Sequence, residues 1–78
     1  MRAARIGGVV TKSVTTQRRE GNPPPRIVET ACGMLNSIGI QNPGLEGFLA
    51  EVLPPFRALP TARIVNVAGE SVEDFVHL

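Results

Sequence analysis

Apolar positions follow two different rhythms along the 78 residues. Residues 6–10 (IGGVV) and 62–67 (ARIVNV) are short, nearly unbroken apolar runs, which predict strands buried on both faces as in a parallel sheet. The two glycines of the first run weaken its intrinsic strand preference and imply tight packing beside it. Between the runs, Leu45, Phe48, Leu49, Val52, Leu53 and Phe56 recur at i, i+3, i+4, i+7, i+8 and i+11, the stripe of an amphipathic helix. Glu46 and Glu51 lie off that stripe, and Glu46 near the start suits the helix dipole. Pro54 and Pro55 should end or kink this helix, with one more turn to Leu59. After the second run comes a turn at 68–70. Ser71, Val72, Glu73 and Asp74 then form a capping box that opens another helix. That helix is still amphipathic after about two turns at Leu78, which reads as a boundary imposed from outside.

The stretch between the first run and the helix has a different character. Residues 17–25 (QRREGNPPP) are polar, then proline-rich. Three prolines favour polyproline II, as a rigid connector or as a ligand for a recognition domain. Residues 26–30 (RIVET) are rich in β-branched side chains, residues 31–33 form a turn, and 34–38 complete a small hairpin. The predicted order is therefore strand, hairpin excursion, helix, strand and helix start. This is a βαβ unit with parallel strands and a right-handed crossover, over residues 1–78 without an internal boundary. In a (β/α)8 barrel, active sites are built at the C-terminal ends of the strands. Lys12 and Asn66 fall at such ends.

Composition removes several classes of function. A chain of this length is one small domain or a piece of a larger one, and buries only about 60% of its extended surface. Hydrophobic content of 42% argues against disorder. A net charge of +1, with three Phe and no Trp or Tyr, gives no electrostatic or stacking basis for binding nucleic acid, nor a charge that would hold an anionic membrane. A single cysteine, Cys32, excludes an internal disulfide, and with one histidine, His77, no metal-ligand spacing is present. No apolar run approaches the ~20 residues that span a bilayer. The basic segment 1–5 (MRAAR) is followed by a run that breaks at Thr11-Lys12, too early for a signal peptide, so the expected location is the cytoplasm.

Candidate chemistry gathers in residues 33–44, GMLNSIGIQNPG. Asn36 and Asn42 frame an apolar run containing Gly39, and Asn42-Pro43 suits a helix start, with Asn as N-cap and Pro at the first position. Gly39, without a Cβ, lets a neighbour approach the backbone. A small planar anion could meet an amide and a row of N–H groups there; the same residues also make a plain helix-start loop with two caps. Lys12 is the one lysine beside seven arginines. Its compact ammonium suits ligand contact and equally suits a solvated strand end. Cys32, in the hairpin turn without a basic neighbour, reads as an ordinary thiol.

Four segments in order, TKSVT at 11–15, REGNPPPRIVET at 19–30, GMLNSIGIQNPG at 33–44 and VNVAGES at 65–71, closely resemble the class 1 dihydroorotate dehydrogenases, above all the NAD-linked bacterial type. The resemblance covers nearly the whole chain. It implies an α/β fold that is a fragment of a (β/α)8 TIM barrel, and an FMN-dependent oxidation of dihydroorotate to orotate in pyrimidine biosynthesis. It implies that Lys12 and Ser13 contact FMN, and that Asn66 contacts FMN or the substrate. It further implies that Lys12, Asn36, Ser37, Ile38, Gly39 and Ile40 hold the substrate, with the Asn amide on the ring and N–H groups on the carboxylate. The family's general base is a cysteine on a later loop. Cys32 stands in another motif and is not that residue, so no catalytic residue is assigned within these 78.

The parent enzyme so implied could use an iron–sulfur flavoprotein subunit for electron transfer. Two alternatives stand beside it: a non-catalytic module that complements a split barrel, and the pyrimidine domain of a dihydropyrimidine dehydrogenase. The REGNPPP stretch favours the dihydroorotate branch. The isolated chain, with two of eight strands, is expected to be inactive.

Overall fold

A computed structural model of the chain describes residues 5–78. Of the basic segment 1–5, residues 1–4 lie outside them. The elements are β1 (Gly8–Val10), β2 (Ile27–Thr30), β3 (Gly33–Asn36), α1 (Gly44–Gly47), a π-helical turn (Phe48–Val52), α2 (Leu53–Arg57), β4 (Ala62–Ile64) and α3 (Val72–His77). The predicted order is present, and the described residues form no closed barrel.

β1 and β4 pair in parallel, with Gly8 opposite Ala62 and Val10 opposite Ile64. Pairing resumes at a parallel bridge between Val14 and Val67. The first strand takes four steps from Val10 to Val14 while its partner takes three from Ile64 to Val67. Segment 11–13 therefore carries one extra residue and bulges. Bulges re-aim side chains at strand ends, and this one carries Lys12 and Ser13. It is held on both sides: the Thr11 N–H donates to the Ile64 carbonyl at 3.0 Å, and the Val14 N–H to the Asn66 carbonyl at 2.9 Å.

The excursion between β1 and α1 is one antiparallel arm folded back on itself. At its base, Arg19 and Asn42 exchange backbone hydrogen bonds of 3.0 Å in each direction. Further out, the Asn22 N–H donates to the Ile38 carbonyl (2.9 Å) and the Ser37 N–H to the Arg26 carbonyl (2.8 Å). β2 and β3 then continue from Ile27 opposite Asn36 to Thr30 opposite Gly33, around the turn at Ala31 and Cys32. The prolines form the connector on one side of the arm. Their Pro24–Pro25 bond is cis, where an all-trans polyproline II run was expected.

The helical stretch 44–57 passes through its prolines rather than ending at them. Pro54 and Pro55 have no N–H, and in an α-helix their rings would press on the carbonyls four residues back. The chain accommodates this by widening: the Leu53 N–H donates to the Phe48 carbonyl, five residues back, in a π-helical turn. The wider turn shifts the stripe. Phe48 and Phe56 are buried and Leu45 and Leu53 half-buried, a spacing of 3, 5 and 3, whereas Leu49 is 50% exposed. The regular i, i+3, i+4 stripe thus gives way to one with an inserted residue. At α3, the Ser71 hydroxyl accepts from the Asp74 N–H at 3.2 Å. The reciprocal bond of the expected capping box comes from one residue earlier, with the Glu70 N–H donating to Asp74 Oδ2 at 2.9 Å.

The core is thin. Among the described residues only Val14, Phe48 and Phe56 are buried apolar side chains. The expectation that both strands are buried is not met, since Val10 and Ile64 are 59% and 54% exposed. A two-stranded sheet leaves each strand an open edge and gives its faces few elements to pack on. The radius of gyration of 14.9 Å exceeds the roughly 11.5 Å usual for a compact domain of this length. No helix among the described residues is long and apolar enough to cross a membrane.

Candidate functional site at the sheet rim

The bulge after β1 and the segment after β4 bring three sequence-predicted residues to one rim. Asn66 Nδ2 donates to Ser13 Oγ at 2.6 Å, and the Asn66 N–H donates to Thr11 Oγ1 at 3.1 Å. Because Ser13 accepts from Asn66, its own hydroxyl proton is left to donate, and among the described residues it meets no acceptor. Lys12 sits between these two bonded residues and is exposed.

Lys12 also lines an open cleft of about 380 Å³ with Arg18, Arg19, Glu20, Gln41, Asn42 and Pro43. The cleft's cations are not equivalent. Arg18 Nε bonds Glu20 at 2.7 Å, and that hydrogen bond, followed by the charge of Glu20, raises the guanidinium's pKa further above its ordinary value. Arg19 faces Glu70 at 3.5 Å. Lys12 forms no ion pair among the described residues.

The two asparagines of residues 33–44 have opposite fates. Asn42 is 6% exposed. Its Oδ1 accepts from the N–H groups of Gly44 (2.9 Å) and Thr15 (3.2 Å), and its Nδ2 donates to the Ile40 carbonyl (2.8 Å) and Thr15 Oγ1 (3.0 Å). It caps the helix start through an Asx turn, with Pro43 rather than Asn42 in the N-cap position of α1. Every polar atom of this amide has a protein partner, so it is a pin and not a ligand contact. Asn36, at the end of β3, is exposed, and its side chain has no hydrogen-bond partner among the described residues. Neither Asn36 nor Ser37, Ile38, Gly39 or Ile40 lines the Lys12 cleft, whose wall on this side is Gln41–Pro43.

The loop between these asparagines is unusual in how its backbone polarity is divided. The Ser37 carbonyl accepts from Asn22 Nδ2 (2.9 Å), the Ile38 carbonyl from the Asn22 N–H (2.9 Å), the Gly39 carbonyl from Arg19 Nε (3.3 Å) and the Ile40 carbonyl from Asn42 Nδ2. Four successive carbonyls are taken. The N–H groups of Ile38, Gly39 and Ile40 meet no acceptor among the described residues. Gly39 and Ile40 both have positive φ, 82° and 55°, a left-handed conformation that is uncommon for isoleucine. A short run of free donors beside spent acceptors is a surface suited to an anion.

A family model for dihydroorotate dehydrogenase matches residues 1–78. The chain belongs to the dihydroorotate dehydrogenase family. It is 51% identical over 73 residues to a dihydroorotate dehydrogenase B (NAD(+)) catalytic subunit from Thermoanaerobacter pseudethanolicus, a match covering 94% of this chain and 24% of that protein. It is 52% identical over 75 residues to a putative dihydroorotate dehydrogenase A (fumarate) from Aquifex aeolicus, covering 96% and 24%. A catalytic subunit of the B type from Bacteroides thetaiotaomicron is 48% identical over 73 residues, again covering 24% of that protein. The chain spans about a quarter of the length of these dihydroorotate dehydrogenases.

Sequence reasoning gave no role to Thr15, Arg19 or Asn22, although all three stand inside quoted motifs. They are the residues that hold the 36–42 loop. The signal lay in the pairing of REGN with NSIGIQN, which the arm places side by side.

Proposed function

We propose that this chain forms the substrate rim of a flavin-dependent enzyme that oxidises dihydroorotate to orotate, as two strands of a (β/α)8 barrel. FMN, when bound, supplies the hydride acceptor. Lys12, Ser13 and Asn66 fit such a group by their chemistry: among the described residues, a cation without an ion pair, a hydroxyl whose proton meets no acceptor, and an amide that fixes the hydroxyl. Ser13 and Asn66 orient the isoalloxazine edge, and Lys12 holds positive charge beside it and beside the substrate carboxylate. Fixed charge of this kind, set before reaction, stabilises developing negative charge without reorganisation.

Residues 36–40 hold the substrate. The Asn36 amide meets the pyrimidine ring, and the N–H groups around Gly39 and Ile40 meet the carboxylate. The observation that carries this reading is the loop's divided backbone: the carbonyls of residues 37–40 are occupied, while the N–H groups of residues 38–40 meet no acceptor among the described residues. Cys32, exposed at the tip of the arm, has no part in the chemistry. Relatives named for NAD(+) and for fumarate resemble this segment equally, so the electron acceptor, with any iron–sulfur flavoprotein subunit, is chosen elsewhere in the parent enzyme. The family match favours dihydroorotate over the dihydropyrimidine alternative.

The test uses a completed enzyme, in which these residues replace the matching quarter of the Thermoanaerobacter pseudethanolicus subunit. Orotate formation should be retained, and Asn36→Ala should raise KM for dihydroorotate about tenfold or more, as expected for loss of one hydrogen bond to a charged or ring-polar group. An unchanged KM would remove residues 36–40 from the substrate site.

A further inference from the structure

We infer that Asn22 is a positioning residue for substrate binding, an inference that rests on reading residues 36–40 as the orotate site. Asn22 lies outside that loop and grips it at three points. Its N–H donates to the Ile38 carbonyl at 2.9 Å, and its Nδ2 donates to the Ser37 carbonyl at 2.9 Å and to Ser37 Oγ at 3.0 Å. One residue thereby occupies two successive carbonyls and a hydroxyl of the substrate loop. Those groups would otherwise compete, as acceptors, with the loop's role as a donor surface.

The neighbouring glycines show how closely the two segments are fitted. A Cβ on Gly39 would stand 3.0 Å from both Asn22 N and Nδ2. A Cβ on Gly21, whose φ is 80°, would collide with the Ile38 carbonyl oxygen. Gly21 lets the loop approach, Asn22 fastens it, and Gly39 leaves room for the fastening. This accounts for Gly21-Asn22 in the REGNPPPRIVET segment by the needs of the GMLNSIGIQNPG segment. Asn22 acts through Ser37 and Ile38 and needs no contact with substrate.

The test compares Asn22→Ala, Asn22→Asp and Asn36→Ala in the completed enzyme. Asn22→Asp keeps the shape and the backbone bond to Ile38 but loses both side-chain donations, so it decides the matter if the alanine variant does not fold. Expected for Asn22→Asp and for a folded Asn22→Ala is a KM for dihydroorotate raised about tenfold, with kcat within about threefold and flavin content unchanged, corresponding to about 1.4 kcal/mol of binding. A KM unchanged while Asn36→Ala raises it would overturn the role of Asn22 and leave the substrate site standing. A KM unchanged in all three would overturn the site itself, and the inference with it. Loss of flavin together with turnover in Asn22→Asp would also overturn it, by making Asn22 a support of the fold at large.

Discussion

Asn66 Nδ2 lies 2.6 Å from Ser13 Oγ, joining the segment after β4 to the bulge after β1 across the rim of the sheet. The two residues are 53 positions apart in sequence, and the bond sets which way the Ser13 hydroxyl can donate. Asn66→Ala would free that hydroxyl to rotate. In the completed enzyme we expect FMN affinity to fall about tenfold, near the worth of one hydrogen bond, with the protein still folded. Flavin retained after gel filtration, read by absorbance, checks this.

Lys12 stands beside that pair without an ion pair of its own among the described residues, while Arg18 and Arg19 are engaged by Glu20 and Glu70. Lys12→Met should therefore slow flavin reduction by dihydroorotate by about a hundredfold, the scale on which one prearranged electrostatic contact acts. Lys12→Arg should recover little of it, because a planar fork does not replace a compact ammonium. Stopped-flow flavin bleaching under anaerobic conditions measures both.

Asn42 and Gly44 make a third prediction, about stability. Asn42→Ala leaves the buried Gly44 N–H without its acceptor, at a cost of about 1–3 kcal/mol. Gly44 has a φ of 80°, and a Cβ there would come within 2.6 Å of Arg18 N. Gly44→Ala should be at least as harmful as Asn42→Ala, since it adds a backbone collision to an unfavourable conformation. Denaturant unfolding of the completed enzyme, with the midpoints compared, tests the ranking.

The element order was legible because each element has a local cause. Alternating periods separate strand from helix, the β-branched RIVET run marks a hairpin, and Ser71 marks a cap. What was not legible came from contacts between segments distant in sequence. The bulge at 11–13 exists only because Val14 pairs with Val67 after Val10 has paired with Ile64. The shifted helix stripe follows from Pro54 and Pro55, but the hydropathy pattern alone could not show that the chain would widen rather than stop. Asn42 was expected at the helix start and Asn36 at the substrate, but their burial could not be read from the motif. Only the position of Thr15 against Asn42 shows that one is a pin and the other is exposed.

The many half-covered apolar side chains lead to a fourth prediction. Met34 and Leu35, each 66% exposed, and Phe75, 52% exposed, present surface that a packed domain would cover. The 78-residue chain by itself should bind a hydrophobic dye and self-associate. Supplied with FMN, dihydroorotate and an acceptor, it should form no orotate. Sedimentation velocity and an orotate absorbance assay examine the two halves of this expectation.

If Lys12 and the 36–40 loop face one ligand, a crystal structure of the completed enzyme with FMN and orotate will show both against it. The orotate carboxylate is expected within hydrogen-bonding distance of the Gly39 or Ile40 N–H, with the Asn36 amide on the ring and the Lys12 ammonium between carboxylate and flavin. Orotate bound elsewhere, with the N–H groups of residues 38–40 facing only solvent, would contradict it.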